Sequence, residues 1–392
     1  MGILGEKVSY LCDEVKKKSK TLMLICFAPI CKLLPIANNK VVFSSFGGKM
    51  YNGQPLLICE ELKKRLGGEL DIVWILKDGV DVPADIRTAK PKSFKMMYEL
   101  CTARAWVDNA RKYHFIKKRP GQFYIQTWHG QIALKAIEKD AQDTLPRNYI
   151  KGAKRDSKNA DLIVAETAWG HQNIRDAFWY DGEILNASFK YCYDLSPEET
   201  TRNVRRKFGI AENEKILLYA PTFRKDGNTD CYLQQFDDVA EKLGEKFNAK
   251  FKTIVRLHPN VGDKKDVYAY SENLLDGTNY PSYDDLVCAA DVVISDYSSC
   301  AFYAYKANKV VFLYTKDLDD YLKNDRKMYF DIRELPAPVC ESHQELLDNI
   351  ENFDASKYFE EVKKLIDEVG FYQDDAAEKA ADRIIDVMRR EG

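Results

Sequence analysis

The stretch Ala290-Asp291-Val292-Val293-Ile294-Ser295-Asp296-Tyr297-Ser298-Ser299 decides how the chain is read. Val292 to Ile294 is a short β-branched run, the signature of a buried strand. It ends in hydroxyl and carboxylate residues, and the small and aromatic residues from Cys300 to Lys306 then suit a helix. A strand that ends in small hydroxyl residues and turns into a helix offers free backbone N–H groups, a partial positive charge and, here, the Ser298 and Ser299 hydroxyls. In an open α/β sheet that is where a phosphate binds. The plainer reading is that Ser298 or Ser299 caps the helix, and the stretch taken alone favours it. Other strand ends in the chain shift that balance.

Working outward, the pattern repeats. Lys215 to Ala220 reads as a strand ending in Pro221-Thr222-Phe223-Arg224. Lys252 to Leu257 reads as a strand ending at His258-Pro259, and Lys309 to Tyr314 as another. Helices are expected over Phe236 to Phe247 and Tyr283 to Ala290. Toward the start, Lys40 to Phe43 is a strand leading into the glycine loop Phe46-Gly47-Gly48-Lys49. Strands follow at Asp71 to Leu76, Arg104 to Asp108, Phe123 to Trp128 and Asp161 to Ala165, with helices at Pro55 to Leu66 and Lys92 to Ala103. Strands alternating with helices at this spacing indicate βαβ units and parallel sheets. The polar segment from Lys190 to about Arg206 looks like the crossing between two halves. A long helix is expected over Asp375 to Arg390, with an apolar stripe through Ala380, Ile384, Ile385 and Met388.

The chain has 392 residues, enough for two domains, and 45% hydrophobic content supports a full core. A net charge of −2 argues against a nucleic-acid binder. The ten cysteines include no Cys-x-x-Cys pair and none at zinc spacing with histidine, so they read as reduced core residues in a reducing compartment. Residues 1–37 stand apart. A basic cluster, Lys16-Lys17-Lys18-Ser19-Lys20, precedes the apolar run Leu22-Met23-Leu24-Ile25-Cys26-Phe27-Ala28-Pro29-Ile30. The run falls short of the ~20 apolar residues a spanning helix needs. It suits a monotopic anchor on an anionic membrane surface, or else a helix packed on the protein body.

Strand ends in a parallel sheet face one crevice, so their side chains are the candidates for a site. In the second half these are Thr222, Arg224, Arg256, His258, Asp296, Ser298 and Ser299, an inventory that suits a diphosphate. The first half offers Thr127-Trp128-His129-Gly130, where His129 is a candidate general base and Gly130 allows a close approach. Glu166 is a weaker first-half candidate. Arg224 and Arg256 as ion pairs, and His258 as a structural turn residue, are the competing readings.

Four of these segments appear in a recognisable order: Tyr124 to Gly130, Leu218 to Arg224, Arg256 to Pro259 and Ser295 to Ser299. The chain resembles the CDP-glycerol glycerophosphotransferase family, the polymerases and primases of teichoic acids and related capsules. Val41 to Lys49 and Leu318 to Tyr321 also match, so the resemblance spans about residues 38–335. It implies a GT-B-like α/β fold, two Rossmann-like domains facing a central cleft. The expected divisions are an acceptor domain over 38–195, a CDP-alditol domain over 196–370, and a helix over 371–392 returning to the first domain. It implies His129 as base and His258 beside the pyrophosphate as the catalytic pair. Thr222, Arg224, Arg256, Asp296, Ser298, Ser299 and Arg326 would bind substrate, with no metal and no cofactor. The partners implied are CDP-glycerol or CDP-ribitol, a lipid-linked polymer acceptor and the anionic cytoplasmic face of a bacterial membrane. A GT-B glycosyltransferase using a nucleotide sugar is the alternative. Two departures bear on donor and acceptor identity. Asn186 to Tyr191 stands where the family has a Gly-Tyr-Pro-Arg-Asn-Asp-like segment, and Arg326-Lys327-Met328-Tyr329 stands where Arg-Gly-x-Tyr is usual.

Overall fold

The computed structural model describes residue 19 and residues 21–130, 132–224, 227–258, 261, 267–324 and 327–390. The expectations for Arg326, Pro259 and most of the basic cluster at Lys16 to Lys20 lie outside the described residues.

Two parallel sheets organise the chain. The first contains β1 (Ala37–Ser44), β2 (Asp71–Ile75), β3 (Arg87–Ala89), β4 (Ala103–Asp108), β5 (Phe123–Gln126), β6 (Leu162–Ala165) and β7 (Glu183–Asn186), in the order β3-β2-β1-β4-β5-β6-β7. The second contains β8 (Glu214–Tyr219), β9 (Lys250–Val255), β10 (Leu274–Asp276), β11 (Val292–Ser295), β12 (Val310–Tyr314) and β13 (Val339–Cys340), in the order β10-β9-β8-β11-β12-β13. Every pairing inside both sheets is parallel. Parallel strands covered by helices on both faces need continuous apolar runs, and β11 and β12 are buried at every residue. The edge strands β3, β10 and β13 are only two or three residues long, too short to leave an alternating pattern in the sequence.

In each sheet the strand order reverses beside the first strand, between β1 and β4 and between β8 and β11. Ligands in doubly wound sheets bind at that switch point, outside the carboxyl ends of the strands. His129 follows β5 next to one switch point, and Asp296 follows β11 directly at the other.

The helix Ala376–Arg389 returns to the first sheet. Ala376, Ala380, Ala381 and Ile384 are fully buried in one cluster with Val41, Ile58 and Val107. Burying an isoleucine of this kind contributes about 1.5–3 kcal/mol. Arg104 fastens the far end of the helix by donating from Nη2 to the carbonyls of Val387 (2.6 Å) and Arg390 (2.9 Å).

A helix over residues 21–31 buries Leu24 and Cys31 against the first domain and leaves Leu22, Met23, Ile25 and Ile30 exposed. Leu33, just beyond, is 86% exposed. Among the described residues no helix is long and apolar enough to cross a membrane.

Candidate active site

The loop after β5 presents His129. Trp128 takes a positive φ of 57°, held by its N–H donating to Gln126 Oε1 at 2.9 Å. The imidazole lies between Trp128 (ring centroids 4.4 Å) and Phe46 (5.5 Å). His129 Nδ1 lies 2.5 Å from the Asn109 carbonyl oxygen. A carbonyl only accepts, so Nδ1 carries the proton and Nε2 of the neutral ring holds the lone pair. The residue is exposed, yet protein atoms crowd the imidazole closely. That desolvation lowers its pKa below the usual 6.5, against the pull of the Asn109 carbonyl and of Glu138 and Asp108. The result is an imidazole that is neutral at neutral pH, with Nε2 able to accept a proton.

Asn109 ties this arrangement together. Its Oδ1 accepts from Phe46 N–H at 2.7 Å, and its Nδ2 donates to Ser45 Oγ at 3.0 Å. One fully buried residue thus links the loops that follow β1, β4 and β5. Sequence reasoning missed it by stopping at Asp108, although Asn109 satisfies the same strand-end rule that selected the others.

On the second domain, Asp296 Oδ1 accepts from Thr222 N–H at 2.9 Å, and Oδ2 accepts from Thr222 Oγ1 (3.0 Å) and Arg224 Nη1 (2.9 Å). Arg224 also forks onto Asp317, through Nε at 2.7 Å and Nη2 at 3.0 Å. Its guanidinium lies 5.0 Å from the Tyr297 ring and 5.3 Å from that of Tyr321. Burial works against the Arg224 charge, but Asp317 and Asp296 more than offset it and raise its pKa. Thr222, Arg224 and Asp296 therefore satisfy one another. The sequence expectation gave all three to the substrate; in the structure they are hydrogen-bonded to one another.

Arg256 is placed differently. Its Nη1 donates to the carbonyls of Tyr280 (2.6 Å) and Gly277 (3.4 Å), and burial lowers its pKa against the opposing pull of Cys300, Tyr283, Asp284 and Asp285. His258 stacks on Phe223 with centroids 4.6 Å apart. Its pKa is pushed down to about 4, first by burial and then by the charges of Lys49, Lys135 and Arg256. A neutral imidazole among three cations marks a place prepared for an anion.

The two serines divide the roles left open by the sequence. Ser298 Oγ accepts from Cys300 N–H at 3.2 Å and so acts as a local cap of the helix Cys300–Lys306. Ser299 makes no side-chain capping bond there. Its Oγ lies against Gly130 instead, where an added Cβ would sit 3.4 Å away and φ is +151°. The residue after His129 is thus in close approach to the second domain's serine pair, which a glycine permits. The domains meet beside it: Ala136 N–H donates to the Lys327 carbonyl at 2.7 Å, and Lys135 Nζ to Tyr321 OH at 2.7 Å.

Glu166 does not face the cleft. It is fully buried and accepts from Tyr191 OH at 3.0 Å and Phe189 N–H at 3.4 Å, with burial pushing its pKa up to about 7. Its sequence signal, a carboxylate at a strand end, was genuine, but the chain folds back over it through Tyr191.

The chain resembles known proteins along almost its whole length. It is 24% identical over 393 residues to the teichoic acid poly(glycerol phosphate) polymerase of Bacillus spizizenii, covering 95% of this chain and 99% of that protein. It is 28% identical over 329 residues to the polymerase of the same description from Staphylococcus epidermidis, covering 80% of this chain but only 45% of that longer protein. Among solved structures, the wall teichoic acid polymerase TagF superposes with a TM-score of 0.79 at 26% identity, covering 95% of this chain and 97% of that chain. The family described as CDP-Glycerol:Poly(glycerophosphate) glycerophosphotransferase matches residues 26–388, and the chain belongs to it.

Proposed function

We propose that this protein transfers glycerol phosphate or ribitol phosphate from a CDP-alditol to a hydroxyl of a membrane-linked, teichoic acid or capsule-type acceptor, releasing CMP. The observation that carries the reading is the approach of Gly130, the residue after His129, to Ser299 of the second domain. In this GT-B-like reading the second domain holds the donor and the first receives the acceptor. The acceptor oxygen attacks the β-phosphorus, and its proton passes to His129 Nε2. The bond from the β-phosphorus to the bridging oxygen breaks, and that oxygen leaves with CMP. Phosphoryl transfer asks the protein mainly for position and charge compensation. Arg256, His258, Ser298 and Ser299 supply these, while Thr222, Arg224 and Asp296 hold the strand ends in place. Incubation with CDP-glycerol, CDP-ribitol and UDP-sugars plus a lipid-linked acceptor tests the reading. CMP release is expected; release of UDP instead would sink it.

The exposed face of the helix over residues 21–31, continued by Leu33 and Leu34, supports peripheral attachment to an anionic cytoplasmic membrane face. The variant combining Leu22→Glu, Ile30→Glu and Leu33→Glu changes only exposed positions and keeps the buried Leu24. It is expected to stay in solution when phosphatidylglycerol vesicles are pelleted, where the native protein sediments. Sedimentation of the variant to the native extent would move the attachment to another surface.

A further inference from the structure

The glycine loop after β1 packs against His129 and carries Lys49, and its backbone is unusual. Phe46, Gly47 and Gly48 take consecutive positive φ angles of 47°, 65° and 82°. That region is costly for a residue with a side chain, and such strain persists only where the surroundings impose it. They do so here. Phe46 N–H is held by Asn109, and Lys77 N–H donates to the Gly48 carbonyl at 2.7 Å. A Cβ on Gly48 would collide with Pro91 Cγ at 2.8 Å and the Ile75 carbonyl oxygen at 3.0 Å. The loop also touches both sides of the cleft. The Phe46 ring packs against His129, and Asn52 Nδ2 donates across the cleft to the Pro281 carbonyl at 2.6 Å. Pro281 adjoins Tyr280, whose carbonyl holds Arg256. Lys49 projects from this pinned loop, exposed and outside every ion pair and hydrogen bond found among the described residues. Its charge nevertheless reaches His258 on the other domain.

A lysine that only solvates a surface needs neither a strained loop nor a bond across the cleft to place it. We propose that Lys49 is a phosphate-binding residue of the donor site, contributed by the first domain to the diphosphate that Arg256 and His258 meet from the second. Because Phe46 of the same loop lies against His129, the phosphate that Lys49 reaches is the β-phosphate, the one attacked. The inference rests on the CDP-alditol reading above. It also means that the second domain alone holds the nucleotide end of the donor, and the site is complete only with the first domain in place. An ammonium on a flexible stem acts here as a point charge and does not demand one fixed geometry.

Calorimetric titration with CDP-glycerol, CDP and CMP separates the possibilities, using the native protein, Lys49→Ala and Lys49→Arg. For Lys49→Ala, binding of CDP-glycerol and CDP is expected to weaken by roughly 10–100-fold, the size of one lost charge-assisted contact. CMP, which lacks the β-phosphate, is expected to bind Lys49→Ala as it binds the native protein. Lys49→Arg restores most of the loss, which a purely structural role of the loop would not produce. Native-like CDP-glycerol binding by Lys49→Ala overturns the role of Lys49 alone. Equal weakening of CMP and CDP also overturns it, since the effect would then be general. A native protein that binds neither CDP-glycerol nor CDP overturns the donor reading itself.

Discussion

His129 rests on the Asn109 carbonyl at 2.5 Å through Nδ1, which leaves Nε2 with its lone pair on an exposed residue. Across from it, Asp296 accepts from Thr222 N–H, Thr222 Oγ1 and Arg224 Nη1, all within 3.0 Å, and is 2% exposed. Asp296 follows a parallel strand at a switch point and His129 one next to a switch point, and both are ionisable. The difference is in what their partners leave over. His129 keeps a free lone pair and a lowered affinity for protons, which is what a base needs. Asp296 and Arg224 keep almost nothing, since each is consumed by the other and by Thr222 and Asp317. A strand-end position therefore nominates a residue for a site, and the hydrogen bonds it has already made decide whether it meets a ligand.

The sharpest way to break this contrast is His129→Ala. General-base catalysis is worth about 10²–10⁴-fold, so the rate of CMP release is expected to fall by that much while CDP-glycerol binding holds. The pH profile gives the sign. Only the neutral imidazole accepts a proton, and its pKa lies below 6.5. Native kcat/KM is expected to be level near neutral pH and to fall as pH drops through that lowered pKa. The acid limb should vanish in His129→Ala. Unchanged turnover in that variant would remove the base and leave the first-domain loop a structural feature.

The parallel sheets were legible because their central strands are nearly pure apolar runs, as Val292 to Ile294 and Val310 to Tyr314 show. The candidate site was legible because His129, His258 and Asp296 are chemically conspicuous residues at strand ends. What sequence did not reveal was partnership. Arg224 and Arg256 look alike in the chain, yet Asp317, a residue 93 positions from Arg224, takes the first into a fork, while the second is held by neutral carbonyls. Asn109 is a plain amide whose importance comes only from three loops converging on it. Ser298 and Ser299 are adjacent and identical, and they separate only when one is seen to cap the helix and the other to meet Gly130. Each of these distinctions depends on contacts between residues far apart in the chain, which a local pattern does not encode.

Arg224→Lys addresses the other face of the comparison, with a smaller expected effect. Lysine keeps the charge but lacks the planar fork that joins Asp317 through Nε and Nη2 and Asp296 through Nη1. It also loses the guanidinium that lies 5.0 Å from the Tyr297 ring centroid. Arg224 and Asp296 are largely buried, at 9% and 3% side-chain exposure, so water replaces their lost bond poorly. A loss of about 1.5–3 kcal/mol in unfolding free energy is expected, the cost of one hydrogen bond to a charged partner. If Arg224 is frame and not ligand, the KM for CDP-glycerol should change little beside that loss of stability. The opposite result, native stability with a KM raised tenfold or more, would return Arg224 to the substrate. Asp296 would then also have to be read as half of a ligand-binding pair, and the contrast between the two faces of the cleft would close.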